Sequence, residues 1–166
     1  MATATKSKSG SQKVGDKKAD DFVFKSKLTG PISELSLYRR ALLFAETSMI
    51  SYMDVEQCNI AAGKLGYTNG KFFDTENAQA YWFHNEFDSV VVFRGTEPNE
   101  WEDIKADANA LTALAETVGK VHRGFKNEVD RIWPYIEEAL ETNTKPLWFC
   151  GHSLGCLLYT SDAADE

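Results

Sequence analysis

Leu147-Trp148-Phe149-Cys150-Gly151-His152-Ser153-Leu154-Gly155 is the stretch on which the reading of this chain turns. Four apolar residues run straight into a G-x-S-x-G segment. The apolar run suits a buried strand. Glycines on both sides of the serine suit a strained, sharp turn after which the next helix passes close to the strand. Such a turn lifts the Ser153 hydroxyl clear of the backbone, where it can attack an ester carbonyl. Taken alone the segment is a moderate signal, because glycine and serine also populate ordinary strand-to-helix turns.

Working upstream, Phe125–Leu140 has the spacing of a helix, with Phe125, Val129, Ile132, Trp133, Ile136 and Leu140 on one side and Pro134 as a site for a kink. Thr142–Pro146 then forms the loop into the Ser153 strand, and Gly119–Gly124 reads as irregular. Three strands are expected over Lys71–Phe73, Gln79–His84 and Ser89–Phe93. The last contains Val90-Val91-Val92-Phe93, apolar on both faces, which suits a central strand of a covered sheet. Asn85–Asp88 is the expected turn between the second and third strands. Gly63–Gly70, with Gly63, Gly66 and Asn69-Gly70, reads as a loop. Leu35–Tyr52 reads as a helix whose apolar face carries Leu37, Leu42, Phe44, Ala45, Met49 and Tyr52. Glu100–Ala110 is a further helix. No internal repeat is visible, and the alternation of strands and helices favours an α/β architecture.

The chain has 166 residues, 43% apolar and 26% charged, with a net charge of −7. That balance supports a soluble core and gives no reason to expect nucleic acid as a partner. No apolar run approaches the roughly 20 residues that span a bilayer. Residues 1–25 read as a disordered basic tail with lysines at 6, 8, 13, 17 and 18, in place of a signal-like apolar block. A reducing, cytoplasmic compartment is therefore slightly favoured, with Cys150 as a small buried residue. His84, His122 and His152 are far apart and lack zinc-ligand spacing, so neither metal nor organic cofactor is implied.

The final eleven residues, Cys156–Glu166, resemble one reading frame of the transposase adapter used in sequencing libraries. They are set aside from the fold. The expectation is that independent genomic DNA encodes a small residue after Gly155 and then a long continuation. A genomic sequence reading Cys-Leu-Leu-Tyr-Thr-Ser and then a stop would overturn it.

Three motifs occur in order: Val91-Val92-Phe93-Arg94-Gly95-Thr96, then Val121-His122-Arg123-Gly124-Phe125, then Gly151-His152-Ser153-Leu154-Gly155. Together they resemble the class 3 lipase family of α/β-hydrolases, over roughly Leu35–Gly155. The resemblance implies the N-terminal part of an α/β-hydrolase fold in residues 26–155, with an incomplete sheet, flanking helices and an exposed edge where later strands would pair. It implies serine esterase chemistry on acylglycerols or phospholipids, with a lipid or other ester as substrate. Ser153 matches the family nucleophile. Thr96 matches an oxyanion-hole residue, and the N–H of Leu154 is the second donor. His122 and His152 read as structural, and His84 as an ordinary strand histidine. The triad order places Asp or Glu, then His, after Ser153. The acids there are Asp162, Asp165 and Glu166, all within the suspected adapter, and no histidine follows. The 166 residues are accordingly expected to form an inactive fragment of a lipase-like parent.

Glu97–Asp107 falls where relatives carry a mobile lid. Trp101 and Ile104 suit contact with acyl chains, and an amphipathic surface helix with Trp101 tucked inward fits equally well. The resemblance implies an acid near this position that hydrogen-bonds Thr96, and the spacing does not decide between Asp103 and Asp107. Rival readings are a short-chain carboxylesterase or phospholipase on the same scaffold, and a lipase-like scaffold that binds without turnover.

Overall fold

The computed structural model describes residues 18–75, 78–95 and 118–152, with the backbone alone over 118–128. Its centre is a mixed four-stranded sheet: β1 (Asn69–Asp74), β2 (Gln79–His84), β3 (Ser89–Phe93) and β4 (Leu147–Gly151), in that spatial order. β1 and β2 are antiparallel, as are β2 and β3, whereas β3 and β4 are parallel. Helices α1 (Leu37–Ile50) and α2 (Val55–Leu65) cover one face, and α3 (Val118–Leu140) covers the other. The arrangement is compatible with the α/β class.

Side-chain alternation along the strands sorts the core into two layers. Tyr81, Phe83, Val90, Val92 and Cys150 meet Leu43 and Ile50 of α1 and Cys58, Ala61, Ala62 and Leu65 of α2. Ala80, Val91 and Phe93 meet Val129, Ile132 and Ile136 of α3. All five residues of β3 are buried, as expected of a strand with helices over both faces.

The β2–β3 turn is built by Asn85. Its Oδ1 accepts from the N–H groups of Phe87 and Asp88, each at 2.9 Å, and its own N–H donates to the Asp88 carbonyl at 3.0 Å. Asp88 then leaves the turn fully buried. Its two carboxylate oxygens accept from Ile32 N at 2.7 Å and from Trp148 Nε1 at 2.8 Å. One carboxylate thus joins the segment before α1, the hairpin and β4.

Several expectations are corrected. α1 runs over Leu37–Ile50, and Tyr52 lies beyond its end. Its buried stripe is Leu43, Thr47, Ser48 and Ile50; of the expected apolar face Phe44 and Met49 pack against the core, whereas Leu37, Leu42 and Ala45 are exposed. The reason is that a buried polar residue with a partner is acceptable in a core. Thr47 Oγ1 and Tyr67 Oη share a buried hydrogen bond of 3.0 Å.

The segment 55–65, not anticipated as a helix, is α2. Asp54 caps it by accepting from Gln57 N at 2.9 Å, and Gly66 ends it in the left-handed region at φ 98°. Gly63 therefore lies inside a helix, and Asn69-Gly70 opens β1 instead of forming a turn. Gly119–Gly124, expected to be irregular, is part of α3. An interior glycine weakens a helix by only about 1 kcal/mol relative to alanine, which the packing of the rest of α3 offsets.

The tail read over 1–25 overlaps the described chain at residues 18–25, and these are held to the body. Ala19 is buried, its N–H donates to Gln57 Oε1 at 2.9 Å, and Lys64 bonds its carbonyl and pairs with Asp20. The adjoining N–H groups of Lys25 and Ser26 donate to the Glu46 carboxylate at 2.8 and 2.9 Å.

Gly66 allows a direct test of this packing. A Cβ at that position would stand 2.5 Å from the Leu28 carbonyl oxygen, and φ 98° is costly for any L side chain. Gly66→Ala is expected to lower unfolding stability by about 2 kcal/mol or more. Urea denaturation reads this directly, and an unchanged midpoint would show that the α2–β1 link is not held this tightly.

Candidate active site at the ends of two parallel strands

β3 and β4 pair in register from Ser89↔Leu147 to Phe93↔Gly151. Being parallel, they end at the same edge of the sheet. Phe93 leads into Arg94-Gly95, and Gly151 into His152. The two motif segments of the sequence therefore leave from neighbouring strands, a lateral separation of roughly 4.8 Å. The pleat sets the next step. Val92 and Cys150 both point to the α1/α2 face. Arg94 and His152, two residues further along, follow them on that side.

Tyr52 reaches the same place from α1. The chain beyond the helix stays tightly turned, with Tyr52 N donating to Met49 O at 3.3 Å and Met53 N to Ile50 O at 3.0 Å. Tyr52 is 8% exposed. Its hydroxyl shares a 3.1 Å hydrogen bond with His152 Nδ1, and the two rings meet edge-on at 73° with centroids 5.9 Å apart. The Arg94 guanidinium lies over the same ring, 5.7 Å from its centroid. Arg94 itself is tied to β2 through its N–H, which donates to Gln79 O at 2.9 Å.

The Cys58 thiol and the Tyr81 hydroxyl lie beside each other and within the field of Arg94. Burial pushes Cys58 up to about 12, an effect only partly opposed by Tyr81 and by the positive field of Arg94. The thiol is thus protonated at neutral pH and is not a nucleophile. Burial likewise raises the Tyr81 phenol, with the neighbouring Cys58 adding to it.

Ser153, Leu154 and Thr96 lie outside the described residues, as do the expected helix 100–110, the lid segment 97–107 with Trp101 and Ile104, and both Asp103 and Asp107. What is described is the approach on each side: Arg94-Gly95 from β3 and Gly151-His152 from β4. The backbone of His122 belongs to α3. His84 pairs with Ser89, at the opposite end of the sheet. Four steps along β3 separate that end from Phe93, about 13 Å at the usual rise. Burial, and then the charge of Lys145, lower the proton affinity of His84. A histidine whose ring meets Trp82 at a tilt of 36°, with centroids 4.9 Å apart, fits the ordinary strand role.

A cleft of about 400 Å³ also opens at the far end, between Leu28, Thr68, His84, Asn85, Phe87 and Lys145. Its polar groups are largely engaged with one another: Thr68 Oγ1 donates to His84 O, and Asn85 Nδ2 to Gly66 O. It reads as the underside of the hairpin turn. Among the described residues no cluster of His, Cys, Asp and Glu could hold a metal ion. No described helix is long and apolar enough to cross a membrane.

Tyr52 and Arg94 were not singled out from the sequence. Arg94 was within reach, since the period of two carries the Val92 face onto it. Tyr52 was counted into the apolar face of α1, and nothing local marks it as the partner of a residue one hundred positions away. Comparison of the chain with family models, with curated proteins and with solved structures yields no match in any of the three.

Proposed function

We propose that this chain carries the nucleophile-bearing part of an α/β-hydrolase of the class 3 lipase type, a serine hydrolase of lipid esters. The observation that supports the reading is the parallel pairing of β3 with β4 in the register Phe93↔Gly151. It starts Arg94-Gly95-Thr96 and Gly151-His152-Ser153-Leu154 from adjacent strand ends, the topology an oxyanion donor and an elbow nucleophile require.

In this reading Ser153 Oγ attacks the ester carbonyl carbon as its proton passes to a base. The carbonyl π electrons move onto oxygen. The N–H groups of Thr96 and Leu154 stabilise that oxyanion, each such donor contributing about 3 kcal/mol in a well-studied case. Collapse expels the alcohol, which takes up the proton, and leaves Ser153 acylated. Water then attacks the acyl-enzyme and releases the carboxylic acid. The base and its orienting carboxylate belong downstream of Ser153 in this architecture. Residues 154–166 contain no histidine, so the activity is assigned to a parent polypeptide that supplies the pair.

The test is turnover of p-nitrophenyl esters of graded chain length. The parent is expected to hydrolyse them and the 166-residue chain to be inert. An inert parent would sink the hydrolase reading and favour a lipase-like scaffold that binds without turnover.

A further inference from the structure

We infer that Tyr52 is the positioning residue of this site, tying the segment that enters Ser153 to the segment that enters Thr96; the inference rests on the reading of Ser153 as nucleophile. Tyr52 belongs to neither strand. It stands on the turn that closes α1, and that turn is fixed by two backbone hydrogen bonds of 3.3 and 3.0 Å. From this base one side chain touches both strand extensions. Its hydroxyl is bonded to His152 Nδ1, and His152 is covalently joined to Ser153. Its ring lies against the Arg94 guanidinium, two residues before Thr96.

Packing alone does not account for the hydroxyl. A phenylalanine would present the same ring to Arg94 and fill the same nearly buried volume. The hydroxyl adds a directional bond to the residue preceding the nucleophile. That bond holds the imidazole in one orientation and, through its Cα, limits the freedom of the turn. Reacting groups must be held within about 0.5 Å of productive geometry. A misplacement of about 1 Å costs roughly a hundredfold in rate. A single anchor outside the sheet that reaches both segments meets that requirement. The Arg94 cation completes the arrangement from β3, itself fixed by the Arg94 N–H bond to Gln79 O.

Tyr67 supplies the control. It too is a buried tyrosine of the same core layer, but its hydroxyl is bonded to Thr47 Oγ1 at 3.0 Å and its ring stacks on Phe83. In the parent enzyme Tyr52→Phe is expected to lower kcat on p-nitrophenyl butyrate by about tenfold to a hundredfold with KM within about twofold. Tyr67→Phe, which loses a hydrogen bond of the same kind, is expected to keep kcat within about twofold. Equal losses from both variants, or full kcat in Tyr52→Phe, would overturn the assignment.

A second readout does not depend on activity. Imidazole nitrogen NMR of the 166-residue chain is expected to show one dominant tautomer of His152, and a changed Nδ1 resonance in Tyr52→Phe. An unchanged resonance would show that the tie does not exist in solution. If the parent proves inert while the resonance moves, the hydrolase reading falls, and the positioning role with it, yet the tie itself stands.

Discussion

Ser153→Ala in the parent protein is expected to remove ester hydrolysis, with kcat falling by at least about a thousandfold and as much as a millionfold. The width of that range has a physical source. Removing the nucleophile leaves the oxyanion donors and the binding surface, which still support slow attack by water. Triad members act as a unit, so a second substitution at the base should add little. On the same reasoning the 166-residue chain is expected to be inert, because residues 154–166 contain no histidine to take the Ser153 proton. Of the three histidines present, His84 is at the wrong end of the sheet, and His152 has its Nδ1 engaged by Tyr52. A purified 166-residue chain that turns over p-nitrophenyl esters in a Ser153-dependent way would show that this assignment of the base is wrong. His122 would then be the first residue to replace. Stopped-time assays of the chain, the parent and the Ser153→Ala parent, run side by side, separate these outcomes.

Asp88→Ala is expected to be among the most destabilising single substitutions in the described core, at about 3–5 kcal/mol. One buried donor, Ile32 N, and one partly buried donor, Trp148 Nε1, lose their acceptor at once. Leaving a buried donor unpaired costs about 1–3 kcal/mol each. The affected groups come from three distant parts of the chain, so no local rearrangement can re-pair both. Removing the carboxylate also relieves the cost of keeping it out of water, which holds the total below the sum of the larger values. Asp88→Asn retains an acceptor oxygen and should lose clearly less. Trp148 has further support from the Arg40 guanidinium, 5.1 Å from its ring centroid, and from Phe44 at 5.9 Å. The indole should therefore stay in place while its N–H goes unpaired. Urea unfolding followed by Trp fluorescence measures the loss. A change below about 0.5 kcal/mol, the range of ordinary surface substitutions, would show that the carboxylate is not the junction described.

The residue patterns carried the central strands well. Gln79–His84 and Ser89–Phe93 are observed with the expected bounds, and the Asn85–Asp88 turn lies between them. These features depend on near neighbours: β-branched and aromatic runs, and an Asn side chain that bonds its own turn. The helices were legible only where their buried sides are large and apolar. The Phe125–Leu140 pattern was found, but its helix begins earlier, at Val118. α2 buries Cys58, Ala61, Ala62 and Leu65, mostly small residues with a weak periodic signal, and its glycines suggested a loop. The face of α1 was found only in part, through Phe44 and Met49, because Thr47 and Ser48 are buried polar residues, and the partner that makes Thr47 acceptable, Tyr67, is twenty positions away.

The proposed chemistry is read from local patterns: a serine between glycines after an apolar strand, a second strand ending in Arg-Gly-Thr, and turns written in Asn, Asp and Gly. Those signals act over a few residues, where backbone sterics and nearest-neighbour hydrogen bonds settle the outcome. Tertiary folding settled which strand lies beside which, the register that brings Phe93 level with Gly151, and the arrival of Tyr52 between Arg94 and His152. These contacts join residues tens to a hundred positions apart. They form because two apolar faces of one sheet must both be covered, a condition on the whole chain that no short segment of it records.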